Sequence, residues 1–344
     1  MKTKIYAIIF GLLLAIVVFT LFSKSEKEKI SKKNKTFKIE NFEEVTKILL
    51  ENKDGIQISL KPSKDGWILN DKHLVRKHLF NNLREALTKM EPSSPVAKVA
   101  TQNVIFQMMR NAIKVSIFKG EDKPTKVIYV GGPNLSNTAS HMFLEYDGEP
   151  VNKIYEVAIP GHRGYITSRF HVKESSWRSM KIFDYNTTDF KSIDIKYFNK
   201  NENKNFTLTS NNNNYTLNFN NKEYTHEKLD KKNIVNYILN FENQNTMSYV
   251  FQKKEEQQLK DSLLNNYKFA EVIITDTKNI KKHITIVNMP TNKIKENKLE
   301  ENEDQIIYDV DYKYIIFGKN KDWGTISNHK FGKLFINPEF FILK

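Results

Sequence analysis

"YVGGPNLSNTASHMFLEYDG", residues 129–148, is the stretch on which the reading of the fold turns. An apolar run ends in Gly131-Gly132-Pro133, as a strand does ahead of a phosphate-binding loop. Such a loop needs backbone N–H groups and a helix N-terminus aimed at the anion. Here Pro133 removes a donor, and residues 134–140 lead into "HMFLEYD", a second strand and not an amphipathic helix. No GxxxxGK[ST] spacing occurs. The stretch reads as strand, turn, strand, which fits an antiparallel sheet and argues against nucleotide binding.

Strand patterns extend from it in both directions. Residues 113–118 and 126–130 precede the turn, 141–146 forms its second strand, and 154–159 follows. Further back, 46–50 and 56–60 flank Lys53-Asp54-Gly55, a hairpin signal, and 66–69 adds a short strand. "VRKHLFNNLREALTKM", residues 75–90, places Val75, Leu79, Leu83, Ala86 and Leu87 on one helical face. Pro92 and Pro95 break this helix, and a second covers 102–111. The other half repeats the order: strands at 192–198, 206–209 and 215–219, helices at 226–241 and 254–265, then strands at 269–275, 283–288, 306–311 and 314–317. A shared order with little shared sequence signals an internal duplication.

The expected architecture is therefore α+β. Two similar tandem modules of mainly antiparallel sheet, with two helices each, occupy 36–172 and 189–344. A connector at 173–188 joins them, and an N-terminal transmembrane helix with a charged tether, 1–35, precedes them. The Asn-rich stretch 199–221 suits long hairpin turns, because Asn tolerates the left-handed backbone region. The charged stretch 291–305 reads as a mobile loop between two strands.

Ile5 to Phe22 carries no charge. At about 1.5 Å per residue it reaches roughly 27 Å, close to the hydrocarbon thickness of a bilayer. Its end, Leu21-Phe22-Ser23-Lys24, matches a signal-peptidase site poorly, so an uncleaved anchor is expected. Lys2 and Lys4 place the N-terminus inside, whereas the lysines from Lys24 to Lys35 count for the opposite orientation. The short two-lysine leader before an apolar core is what export reads, which puts the globular part outside the cytoplasm.

Formal net charge is +14, but it is almost all Lys, with Arg only at 76, 84, 110, 163, 169 and 178. Lys and Asn are abundant along the whole chain, a compositional bias that makes a solvated surface. Nucleic-acid readers lean on the planar Arg fork, so no nucleic-acid partner is expected. The chain has no Cys, which excludes disulfides, thiolate metal sites and Cys nucleophiles.

No GxSxG, HExxH or calcium-loop pattern occurs. Ser140 and His141 are adjacent, which in a strand sends their side chains to opposite faces. Paired carboxylates for work on an envelope polymer remain open, but nothing selects a pair. The expectation is no enzyme, no catalytic, metal or cofactor residues, and no small-molecule ligand. "IPGHRGYITSRF", residues 159–170, is the other unusual stretch. One reading makes it a tight turn pinned by its aromatics. The other makes His162, Arg163, Tyr165 and Arg169 a partner surface for an anion or peptide.

"VTKILLENKDGIQISLKPSKDGWILN", "IKVSIFKGEDKPTKVIYVGGPNLSNTASHMFLEYDG", "IYEVAIPGHRGYITSRF" and "SSWRSMKIF" carry a resemblance. Together they are similar to the bacterial family catalogued as domain of unknown function 4340, over residues 46–197 and more weakly beyond. The resemblance implies an envelope protein of a Gram-negative bacterium with one N-terminal membrane segment. It also implies likeness to a domain in the auxiliary subunit of a transporter tied to surface motility. It implies no catalytic residues. The function expected is a non-enzymatic, inner-membrane, single-pass protein with its globular part in the periplasm. It would serve as scaffold or accessory to a transport, secretion or surface-motility machine, with other envelope proteins as partners. The alternatives are an enzyme acting on an envelope polymer and a module binding an anionic polymer.

Overall fold

In the computed structural model, which describes residues 36–146, 149–150, 153–198, 203–211, 214–251, 253–291, 308–319 and 321–343, the chain divides between Ser179 and Met180 into two units. The first contains β1 (Lys47–Glu51), β2 (Gln57–Ser63), β3 (Gly66–Leu69), β4 (His73–Leu74), α1 (Lys77–Lys89) and β5 (Glu91–Pro95). It continues with α2 (Lys98–Asn111), β6 (Ile113–Phe118), β7 (Lys126–Pro133), β8 (Ser140–Tyr146), β9 (Glu149–Pro150), β10 (Tyr155–Ala158) and α3 (Glu174–Trp177). The second contains β11 (Lys181–Phe183), β12 (Phe190–Tyr197), β13 (Phe206–Asn211), β14 (Asn214–Phe219), β15 (Lys222–Tyr224) and α4 (Lys231–Ile238). After these come β16 (Gln244–Asn245), β17 (Ser248–Val250), α5 (Gln257–Tyr267), β18 (Lys268–Asp276), β19 (Lys281–Pro290), β20 (Tyr308–Phe317), β21 (Asp322–Ser327) and α6 (Asn328–Phe331).

Local chemistry accounts for the hairpins. At the β1–β2 turn Asn52 Oδ1 accepts from the N–H groups of Asp54 and Ile56, and Gly55 takes a positive φ of 74°. Between β3 and β4, Asn70 and Asp71 are both left-handed, and the Lys72 N–H closes the turn on Leu69 O at 3.0 Å. Along β1, Ile48 and Leu50 are buried while Lys47, Leu49 and Glu51 are half-exposed, so the period of two faces one side to a core. β7 is different: Ile128 and Val130 enter the core under α1, and Val127 and Tyr129 enter a second one under α2. A strand covered on both faces reads as a continuous apolar run. The second unit does the same, with Ile284 and Ile286 of β19 on the α4 side and Val287 under α5.

Both units share one topology. The first sheet runs β4-β3-β2-β1-β6-β7-β8-β10-β5, with β9 paired to β8 off this path. The second runs β15-β14-β13-β12-β18-β19-β20-β21-β17, and β11 pairs separately with β16. Taken in chain order, β1 to β4 correspond to β12 to β15, α1 to α4, β5 to β17 and α2 to α5. β6, β7, β8 and β10 correspond to β18, β19, β20 and β21.

Each unit also opens and closes alike. Phe37 and Ile39 form an entering strap in the core, with the Ile39 N–H on Leu87 O at 2.7 Å. Lys126 Nζ ties the strap by donating to Thr36 O and Lys38 O, and burial pushes its pKa down to about 8. In the second unit Phe183 and Tyr185 enter the core, and the Tyr185 N–H reaches Phe241 O. At the exit, Val75 bridges Arg178 and the Arg76 N–H donates to Trp177 O at 2.7 Å. Correspondingly, Leu229 bridges Ile342 and the Asp230 N–H donates to Phe341 O at 2.8 Å. Trp177 and Phe341 are both fully buried at these clasps.

Several expectations need correction. Residues 173–188 are not a connector: α3 and the Arg178 bridge close the first unit, and Ile182, Phe183 and Tyr185 build the core of the second. Residues 91–95 are not merely a helix break but edge strand β5, paired with β10. Proline is tolerated there because the outer edge of the strand needs no ladder donor. The helix expected at 226–241 is α4 flanked by short 3₁₀ turns, and the strands expected at 306–311 and 314–317 are one, β20. Trp67 is half-buried and stacks on Phe80 at 4.3 Å. The anchor segment from Ile5 to Phe22 and nearly all of the charged loop 291–305 lie outside the described residues. Among the described residues no helix is long and apolar enough to cross a membrane.

Candidate functional site

The two unusual stretches meet. Ser140, at the start of β8, is wholly buried, and its Oγ accepts from the N–H groups of Ile166 and Thr167 at 3.0 Å each. Thr167 Oγ1 lies 2.8 Å from the Ser140 hydroxyl and donates to Gly131 O at 2.7 Å. Gly131 lies tight under α2: a Cβ there would sit 2.8 Å from Met108 Cγ and 3.0 Å from His141 O. Gly131 is thus a packing requirement, and the hydroxyls beside it are ties. The buried Ser140 Oγ thus ties the start of β8 to the backbone at Ile166 and Thr167.

Asn134 builds the rest of the turn. Its Oδ1 accepts from the N–H groups of Thr138 at 2.9 Å and Ala139 at 3.2 Å, and its Nδ2 donates to Glu156 at 3.0 Å. The Asn134 N–H reaches Ala139 O, and Asn137 is left-handed at φ 57°. These bonds fix a compact loop whose apex, Leu135, is fully exposed at 105 %. The neighbouring loop turns through Gly161 and Gly164, with φ of 78° and 104°, and approaches the first at Asn137 O.

The four residues singled out from the sequence differ in their surroundings. Arg169 is a structural tie: its Nη1 donates to Asn82 O at 3.1 Å and to Glu85 Oε2 at 2.7 Å, holding the segment against α1. Arg169 and Lys89 hold the Glu85 carboxyl below its ordinary value. His162, Arg163 and Tyr165 instead face solvent at the loop tip, Tyr165 at 40 %. Leu135 escaped sequence reasoning although it is the one apolar residue among the polar residues 134–138. Its signal was a leucine with no periodic partner.

Two histidines of this unit are burdened by burial. His141 is buried on β8, which lowers its pKa from 6.5, with Glu156 opposing weakly. His171 stacks on Trp177 at 4.7 Å, and burial, then the charge of Arg76, lowers it as well. Both therefore stay neutral in the fold at a pH where the unfolded chain takes up protons. The stability contributed by these two groups is complete above 6.5 and falls as pH drops below it. The chemical-denaturation midpoint should fall between pH 7.5 and pH 5, before the carboxylates near 4.5 contribute. A His141→Gln, His171→Gln double variant should lose much of that fall, and an unchanged slope would refute this origin.

Among the described residues no group of three His, Cys, Asp or Glu side chains is placed to hold a metal ion. No protein-family model, curated protein or solved structure matches the chain.

Proposed function

We propose that this chain is a membrane-anchored, non-enzymatic envelope protein, a scaffold or accessory component of a transport, secretion or surface-motility machine. In this reading it sits in the inner membrane through Ile5 to Phe22, with both units in the periplasm, and contacts other envelope proteins. Membership of the family catalogued as domain of unknown function 4340 is part of the proposal, as is the origin of the two units in one duplicated module.

One observation carries the reading: two like frames are unequally elaborated. The second unit runs from the end of β21 at Ser327 to its clasp at Ile342, whereas the first takes a longer path from Ala158 to Arg178. The longer path includes the 160–165 loop with His162, Arg163 and Tyr165 in solvent. The second unit closes its clasp on the shorter path, so the extra loop is not needed to close the frame. Surface additions to a rigid scaffold are where binding residues collect. The hydroxyls and Arg169 beside it are spent on holding the loop in place.

The test is crosslinking of the full chain in its native membrane, followed by identification of copurifying proteins. A stable complex with envelope transport or secretion subunits, lost in an Arg163→Glu, Tyr165→Ser variant, is the expected result. Recovery of the chain alone, or with cell-wall polymer only, would overturn the reading.

A further inference from the structure

We infer that the tip formed by loops 134–139 and 160–165 docks a protein segment carrying an apolar side chain next to a carboxylate. The inference rests on the partner-binding reading above and specifies the chemistry of the partner. Leu135 is 105 % exposed, yet the turn beneath it is locked by the Asn134 side chain. Little conformational entropy is then lost when the leucine is covered, which favours docking on a preorganised loop. Tyr165 stands on the adjoining loop, whose base is held by the Ser140 hydroxyl. Arg163 and His162 are exposed there, and among the described residues their side chains make no hydrogen bond or ion pair. The carboxylates that hold these two loops are occupied: Glu156 receives Asn134 Nδ2, and Glu85 receives Arg169 and Lys89. The tip therefore joins an apolar knob and an aromatic ring to an uncompensated cation, the residue types that anchor protein interfaces.

The sheet margins of this unit offer no rival mode. β4 is two residues long, and β5 carries Pro92 and Pro95, so neither invites an added strand. Recognition at the tip is by side chains, and a carboxylate opposite Arg163 supplies the specificity.

The full-length chain, held in nanodiscs, is panned against a display library of short random peptides. Leu135→Asp and Arg163→Glu are the test variants, Arg163→Lys the conservative one, and unchanged unfolding midpoints establish that each is folded. Selected peptides should pair Asp or Glu with Leu, Ile or Phe. Each test variant should weaken their binding about tenfold or more, and added salt should weaken it further. Arg163→Lys should retain part of the affinity. Binders that lack a carboxylate, or that ignore Arg163→Glu while losing affinity on Leu135→Asp, overturn the inference and leave the docking surface standing. Absence of any binder sensitive to Leu135→Asp overturns both. Self-association of the chain that Leu135→Asp abolishes would make a second copy the occupant and also overturn it.

Discussion

Replacing Trp177 with alanine should destabilise the first unit by about 3–5 kcal/mol. The indole is fully buried among the α1-side core, its Nε1 donates to His171 O at 2.8 Å, and its ring stacks on the His171 imidazole. Truncation would leave a large cavity and orphan a backbone acceptor at the point where the exit segment bridges to Val75. The clasp should then open locally, exposing the Arg76 and Ser179 amides that it now pairs. Hydrogen exchange resolved by residue, with denaturant titration, reads both effects. A loss under about 1 kcal/mol would show that the clasp does not hold the unit. Phe341→Ala, at the corresponding clasp, should act on the second unit in the same way. The half-buried Trp67 should cost less than either.

The entering strap should be as sensitive. Phe37 is 1 % exposed and packs edge-on against Tyr155 at 5.9 Å, so Phe37→Ala should also cost about 3–5 kcal/mol. A chain that begins at Thr36 keeps Thr36 O and Lys38 O under Lys126 Nζ and should fold. A chain that begins at Glu43 loses Phe37, Ile39 and Phe42 from the core together, and the first unit should not fold cooperatively. Circular dichroism melts of the two truncations separate the cases. Equal stability would mean that the strap is an ornament.

How far the fold was legible depends on whether an element's partner is near in sequence. The β1–β2 hairpin and α1 were read close to their observed bounds, because alternation, Lys-Asp-Gly turn chemistry and helical spacing are local signals. β5 was hidden by its two prolines, which forbid a central strand but not an edge. β21 was missed because "DWGTIS" contains Gly324 and little periodicity. A Cβ at that glycine would meet Ser248 O at 2.8 Å, so the residue answers to a neighbouring strand and not to its own. The clasp and strap looked like a linker for the same reason. Trp177 bridges near Val75, about a hundred residues earlier in the chain, and no pattern within residues 173–188 records that contact.

The candidate surface divides along the same line. "PGHRGY" is visibly a turn rich in recognition residues, yet Arg163 and Arg169 are indistinguishable as letters. α1 separates them: Glu85 and the Asn82 carbonyl claim Arg169, and nothing among the described residues claims the Arg163 side chain.

By itself the sequence determined the class, most of the longer strands and the helices of each half, and the strand–turn–strand nature of the Gly-Gly-Pro stretch. Those follow from the periods of two and 3.6 and from backbone restrictions at Gly, Pro and Asn, which act over a few residues. Tertiary structure alone decided where one unit ends and the next begins, which hydroxyls and arginines serve as ties, and which side chains are left to solvent. Such questions turn on contacts between residues far apart in the chain, and burial and hydrogen-bond geometry exist only once the sheets have closed around them.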